Sequence, residues 1–214
     1  MAAHSNTENL NTPLIDFSLK GTDGRSYSPA DFKDKDILII IFMCNHCPYV
    51  KAVTHRFVEF QKKFEDRNVR LIGINSNDAE TYPEDSFENM KLYADEYEMN
   101  FPYLYDETQE TARKYGAVCT PDIYVYDKDR VLRYRGRLDD NWKDESSIKA
   151  KDLEKATELL LEGKEIDLIR YLQWDARSSG KADTRKLKFR IKNKIYHAKI
   201  SNRKTRTITM ESRK

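Results

Sequence analysis

Ile37-Leu-Ile-Ile-Ile-Phe-Met-Cys-Asn-His-Cys-Pro-Tyr-Val50 is the stretch on which the reading of this 214-residue chain turns. It opens with seven consecutive apolar residues, many of them β-branched. Seven is strand length, and both faces are apolar, as expected of a central strand covered on both sides. Cys44-Asn45-His46-Cys47 follows at once. Beyond it, Val50, Val53, Phe57, Phe60 and Phe64 recur every three or four residues, the spacing of an amphipathic helix. The two thiols therefore stand where the chain leaves a sheet and enters a helix. Cysteines at this spacing can close a small disulfide ring. Cys44 is expected at the helix N-terminus, where unpaired N–H groups and the helix dipole favour an anion. That setting lowers a thiol pKa and supplies a thiolate nucleophile, with Cys47 as the resolving thiol. A protonated His46 between them stabilises the thiolate further. This predicts a higher reduction potential than a Gly-Pro spacer gives.

The same four residues have plainer readings. A structural zinc site needs two more ligands, and the chain has no second cysteine pair. Cys119, His46 and His55 are the only candidates to complete one. Two inert buried cysteines are the other alternative. The strand and helix on either side favour redox chemistry, with no metal and no organic cofactor.

Working outward, Pro13 to Leu19 alternates apolar and polar like a half-buried strand, and Gly21-Thr-Asp-Gly24 reads as a turn. Ser28 and Pro29 fit the N-cap and first position of a helix. Val69 to Ile74 is a second buried strand, ending in the polar segment Asn75-Ser-Asn-Asp78. Helices are predicted over about 86–97, 108–115 and 153–161. Asp122 to Tyr126 and Val131 to Arg135 read as a hairpin. The result is an α/β domain over 13–166, preceded by a disordered leader at 1–12. The chain is 35% charged with a mean hydropathy of −0.82. It has no apolar run long enough to span a membrane and no secretory signal pattern at its start, so a soluble cytoplasmic protein is expected. Three cysteines in such a chain argue against a structural disulfide framework.

With the cysteine pair behind a buried strand and Thr120-Pro121 ahead of a later one, the chain resembles the thioredoxin superfamily. More closely, it resembles the redoxins grouped as AhpC/TSA, or peroxiredoxin-like, proteins. The strings that carry this are Phe42-Met-Cys-Asn-His-Cys-Pro-Tyr-Val50, Gly73-Ile-Asn-Ser-Asn-Asp78, Gly116-Ala-Val-Cys-Thr-Pro-Asp122 and Tyr134-Arg-Gly-Arg-Leu-Asp-Asp140. The resemblance implies a thioredoxin fold: a central mixed β-sheet flanked by helices, here with an N-terminal β extension. It implies a cis Pro121 against the cysteines, and Thr120, Pro121 and Cys119 at the substrate-docking edge. It also implies thiol–disulfide exchange with protein or small-molecule thiols and disulfides, served by an external reductase. Two departures stand out. Classical thioredoxins carry a buried Asp at the position of Leu38, so proton transfer must use another group or water. Peroxiredoxins carry Thr three residues before the peroxidatic cysteine; if Cys47 has that part, the Thr position is Cys44. The alternative function is then peroxide reduction centred on Cys47, with Arg135 or Arg137 as the peroxidase arginine. A further alternative is a non-catalytic binding module.

Net charge is +2, unevenly spread. Lys181 to Lys214 holds thirteen Lys/Arg against two Asp/Glu, a balance of +11 that leaves −9 on the other residues. The related proteins tend to end in Pro-Ser-x-Gly-Cys-Ser-Ile-Lys-Trp-Lys. One synonymous codon choice for Asp167 to Lys181, read from its third base, spells Phe-Asp-Ser-Val-Pro-Ser-Met-Gly-Cys-Ser-Ile-Lys-Trp-Lys. The tail over 167–214 is therefore expected to be out of frame or disordered, too poor in apolar surface to offset its ordering entropy. A basic nucleic-acid-binding tail is the competing and weaker reading.

Overall fold

The computed structural model describes residues 10–166 and, beyond them, three strands between 186 and 213. β1 (Leu19–Gly21) and β2 (Ser26–Tyr27) form a short hairpin, followed by a 3-10 turn over Pro29–Phe32. Asp31 caps that turn by accepting from both the backbone N–H and the hydroxyl of Ser28. β3 (Ile37–Phe42) leads to α1 (Pro48–Phe64), and β4 (Val69–Asn75) to α2 (Phe87–Glu96). β5 (Tyr103–Tyr105), α3 (Glu110–Tyr115), the hairpin β6 (Asp122–Tyr126) and β7 (Leu132–Gly136), and α4 (Asp152–Leu161) complete the domain.

Seven strands make one mixed sheet in the order β2-β1-β5-β4-β3-β6-β7. β3 runs parallel to β4, and β4 parallel to β5; β6 joins β3 antiparallel. All six residues of β3 are buried, and alternate ones serve opposite layers. Ile37, Ile39 and Ile41 pack with α1, α2 and α4; Leu38, Ile40 and Phe42 pack with Phe17, Phe32 and Tyr115. The five apolar residues predicted for the inner face of α1 are all buried. At about 1.5–3 kcal/mol each, they hold α1 on the sheet against its entropy cost. The expected mixed sheet flanked by helices, with a β extension in front, is the observed architecture.

Some boundaries differ from the sequence expectation. The strand expected over 13–19 is reduced to β1 and a single bridge between Pro13 and Val131. Residues 11 and 12, placed in the leader, are tied to β7: Asn11 N–H donates to Leu132 O (2.8 Å) and Leu132 N–H to Thr12 O (2.9 Å). Residues 1–9 lie outside the described part. β5 escaped prediction because three residues carry too little pattern. In the tail, β8 (Lys186–Ile191), β9 (Lys194–Ser201) and β10 (Thr207–Arg213) form a separate antiparallel sheet. The codon argument concerns Asp167 to Lys181, which lie outside the described residues.

Candidate active site

The cysteine segment begins where β3 ends, at the C-terminal edge of two parallel strands. Adjacent parallel strands bring their following loops side by side. The loop after β4 accordingly returns over residues 44–47 and presents a 3-10 turn, Pro83–Asp85. From the other side comes the cis Thr120–Pro121 bond that precedes β6.

Both sulfurs face Thr120. Cys44 Sγ is 3.3 Å from Thr120 Oγ1, and Cys47 Sγ lies 3.4 Å from the Thr120 carbonyl oxygen, to which its thiol form donates. The two cysteines are unbridged and nearly covered, Cys44 at 1% exposure and Cys47 at 8%. They differ in ionisation. Cys47 is pulled down to about 5, first by a hydrogen bond with Cys44 and then by the Thr120 side chain and the amides of Val50 and Tyr49. None of those first-turn amides makes a full hydrogen bond to the sulfur, but they favour the anion. Cys44 is pushed far up, by the same bond to Cys47, by burial and by the Asp85 charge. Together these influences favour the anion at Cys47 over Cys44.

This corrects the placement expected from sequence. α1 starts at Pro48, so the residue at its N-cap is Cys47, and Cys44 stands three residues before it. Pro48 carried the signal, since proline favours the first position of a helix.

The residues between the cysteines are anchored by a carboxylate that sequence reasoning missed. Asp85 is fully buried. Its Oδ1 accepts from the Asn45 N–H (2.6 Å) and Asn75 Nδ2 (3.3 Å). Its Oδ2 accepts from His46 Nδ1 (2.5 Å) and Asn77 Nδ2 (2.8 Å). The Asn45 side chain donates to Glu84 O and accepts from Tyr103 Oη. The His46 ring stacks on Tyr82 at 4.2 Å and 5°. Leu38, the position of the thioredoxin Asp, packs in the apolar layer that excludes the cysteines. The buried acid of this site thus comes from a different part of the chain.

Ligand atoms of Cys44, His46 and Asp85 lie within 4.8 Å of one another, a set of a kind that zinc accepts. Asp85, however, already receives four donors, and His46 Nδ1 is spent on it.

The remaining candidates are placed as follows. Thr120, Pro121 and Cys119 are half-buried and border the sulfurs or adjoin the residue that does. Arg135 is buried and committed to Asp122 (Nη2 to Oδ2, 2.6 Å) and to Gly116 O (2.8 Å). Arg137 pairs with Asp152 at 2.7 Å, and burial nonetheless lifts the Asp152 carboxyl to about 7. Tyr49 and Trp142, both partly exposed, meet edge to face at 4.4 Å beside the first turn of α1. Among the described residues no helix is long and apolar enough to cross a membrane.

Comparison with known proteins gives this geometry a setting. The AhpC/TSA family pattern matches residues 10–135. An uncharacterised conserved protein from Geobacillus kaustophilus superposes with a TM-score of 0.74 at 43% identity, covering 78% of this chain and 89% of that one. A chloroplastic peroxiredoxin Q from Triticum aestivum is 25% identical over 125 residues, 55% of this chain and 54% of its own. A thioredoxin-like protein, YneN, of Bacillus subtilis is 28% identical over 118 residues, 55% of this chain and 65% of its own. The matched region thus spans between about half and two-thirds of those two relatives.

Proposed function

The chain belongs to the AhpC/TSA family of the thioredoxin-like superfamily, and from that premise we propose that it is an oxidoreductase exchanging disulfides through Cys44 and Cys47. The observation that carries this is the pair of unbridged sulfurs gathered on Thr120, Cys44 Sγ against its hydroxyl and Cys47 Sγ against its carbonyl oxygen at the N-cap of α1, in surroundings that favour ionisation of Cys47 over Cys44. Thiol–disulfide exchange needs one ionised sulfur to attack and a second, still protonated, in reserve.

The Cys47 thiolate attacks one sulfur of a substrate disulfide. A mixed disulfide forms and the other substrate sulfur leaves as a thiolate. Cys44 then loses its proton and attacks Cys47 Sγ. The Cys44–Cys47 disulfide closes, the second substrate sulfur departs, and two electrons have passed to the substrate. A small thiol or an external reductase restores the pair. Thr120 and Pro121 form the edge on which the substrate chain docks, with Cys119 beside them.

Peroxide reduction at Cys47 is the second reading, favoured by the position of that sulfur at the helix N-cap and its low pKa. There the thiolate attacks the O–O bond, giving a sulfenic acid and an alcohol or water. Cys44 condenses with the sulfenic acid, releasing water. Assaying insulin-disulfide and peroxide reduction side by side on the wild type, Cys44→Ser and Cys47→Ser separates the two. Disulfide exchange predicts insulin reduction that needs both cysteines. Peroxide turnover without insulin reduction transfers the assignment to the second reading, and absence of both activities in the wild type leaves a non-catalytic binding module.

A further inference from the structure

We propose that His46 and Asp85 form the proton-accepting pair for Cys44, with Asp85 as the positioning residue that fixes the order in which the two thiols act. The inference rests on the disulfide-exchange reading and adds the group that takes the second proton.

Closing the Cys44–Cys47 disulfide requires Cys44 to lose its proton inside a nearly closed site. The groups that face it are few. Cys47 is by then bonded to substrate. The Thr120 hydroxyl is no base. Tyr93 from α2 and Tyr103 from β5 have phenols that burial pushes far up, so both stay neutral. The exception among the described residues is the pair 46 and 85: one ring nitrogen of His46 and one carboxylate oxygen of Asp85 lie within 4.8 Å of the Cys44 sulfur, within reach of one bridging water. The geometry of the pair suits a base. A carboxylate only accepts hydrogen bonds, so the proton between His46 Nδ1 and Asp85 Oδ2 (2.5 Å) sits on the ring. That leaves the other ring nitrogen to gain a proton. Tyr82 against the ring face and Asn75 and Asn77 on the carboxylate hold both members in place.

The same carboxylate acts before and after substrate binds. In the free enzyme, its charge beside Cys44 opposes a second thiolate and leaves ionisation to Cys47. Once Cys47 is tied up in the mixed disulfide, the proton of Cys44 passes to the pair, which becomes an imidazolium–carboxylate. The Cys44 sulfur attacks Cys47 Sγ, the bond from Cys47 to the substrate sulfur breaks, and the imidazolium protonates the departing thiolate.

Single-turnover reaction of the reduced full-length chain carrying Cys119→Ser, which removes the third thiol, with 5,5′-dithiobis(2-nitrobenzoate) reads the two steps separately, since attack and resolution each release one thionitrobenzoate; that chain is the reference for the variants below. Asp85→Asn is expected to leave the first release within about threefold of the reference chain and slow the second on the order of 10²-fold. The slowed phase should then quicken about tenfold per pH unit through the neutral range, as hydroxide replaces the lost base. His46→Gln touches a partly exposed side chain, carries no burial penalty, and decides the matter should Asp85→Asn fail to fold. It should show the same second-phase defect, and the double variant should be no slower than the worse single one. An unchanged second phase in His46→Gln overturns the proposal. So does an equal slowing of both phases with an unaltered pH profile, the mark of a merely structural role. An undiminished first phase in Cys47→Ser reverses the roles of the two sulfurs and overturns the proposal as well, whereas release of a single equivalent by the reference chain would instead sink the exchange reading beneath it.

Discussion

At the scale of single residues, the chemistry is decided by which sulfur meets the start of α1. Cys47 does, and the hydrogen bond with Cys44 pulls its thiol down to about 5, which favours the thiolate in the neutral range. In the reduced wild type, iodoacetamide should therefore label Cys47 at a rate that levels off above about pH 6, while Cys44 stays unlabelled until alkaline pH. Peptide mapping after brief exposure checks this, and preferential labelling of Cys44 would reverse the assigned roles. Folding stability should follow the same protons. Unfolded, both thiols titrate near 9; folded, one is lost near 5 and the other is retained far into the alkaline range. Between about 5 and 9 the unfolded chain binds one proton more, so stability climbs with pH; above 9 it binds one fewer, and stability falls again. Denaturant midpoints of the reduced protein across that range, set against the Cys44→Ser/Cys47→Ser double variant, should show this rise and fall over a flatter baseline. The pairing of the two cysteines was legible in the sequence because it is local. Asp85 was not: it lies 39 residues from His46 and reaches it only because β3 and β4 are parallel neighbours. The polar run after β4 was the available hint, since loops beyond the ends of parallel strands gather into one crevice.

At the scale of elements, Arg135, offered by the resemblance as a peroxidase arginine, is delivered by β7 to the interior. Its guanidinium lies over the Tyr124 ring at 4.4 Å and ties Asp122, at the start of β6, to Gly116, at the end of α3. Those two residues bracket the segment that carries Thr120 and Pro121. Removing the cation would leave the Asp122 carboxylate buried without its charge partner, an effect on the order of 3–5 kcal/mol. Arg135→Ala should lower the denaturation midpoint accordingly, and a loss under 1 kcal/mol in chemical denaturation would count against the staple. Gly73 in β4 is a second such point. A Cβ there would come within 2.8 Å of Met43 Sδ and 3.0 Å of the Tyr103 ring, the ring whose hydroxyl holds Asn45. Gly73→Val should cost about 1–3 kcal/mol by overpacking, measured by thermal unfolding. β3 and α1 were readable because their periods run for many residues; β5 and the turn at 83–85 owe their places to partners distant in sequence.

At the scale of the whole molecule, the seven-stranded sheet, its four helices and every residue assigned to the site fall within residues 10–166. Among the described residues, the strands from 186 onward pair only with one another. A chain ending at Ile166, which packs on the core, should keep its melting temperature within about 2 °C of the full chain. It should also keep its thiol reactivity. Calorimetry and labelling of the shortened chain check both, and a collapse of either would give the basic segment a part in the fold. The alternation of strands and helices made this domain legible from sequence; the charge imbalance marked the tail as different without saying what it does.

The short tie between the chain's early residues and β7 carries a consequence for solubility. An outermost strand offers its free amides and carbonyls to any extended segment that drifts past, and proteins that leave such a margin open tend to grow into fibres. Here Asn11, Thr12 and Leu14 already occupy the groups of Arg130 and Leu132 along that margin. A neighbouring copy therefore meets a border that is partly sealed, and residues 11–14 guard that margin of the sheet against self-association.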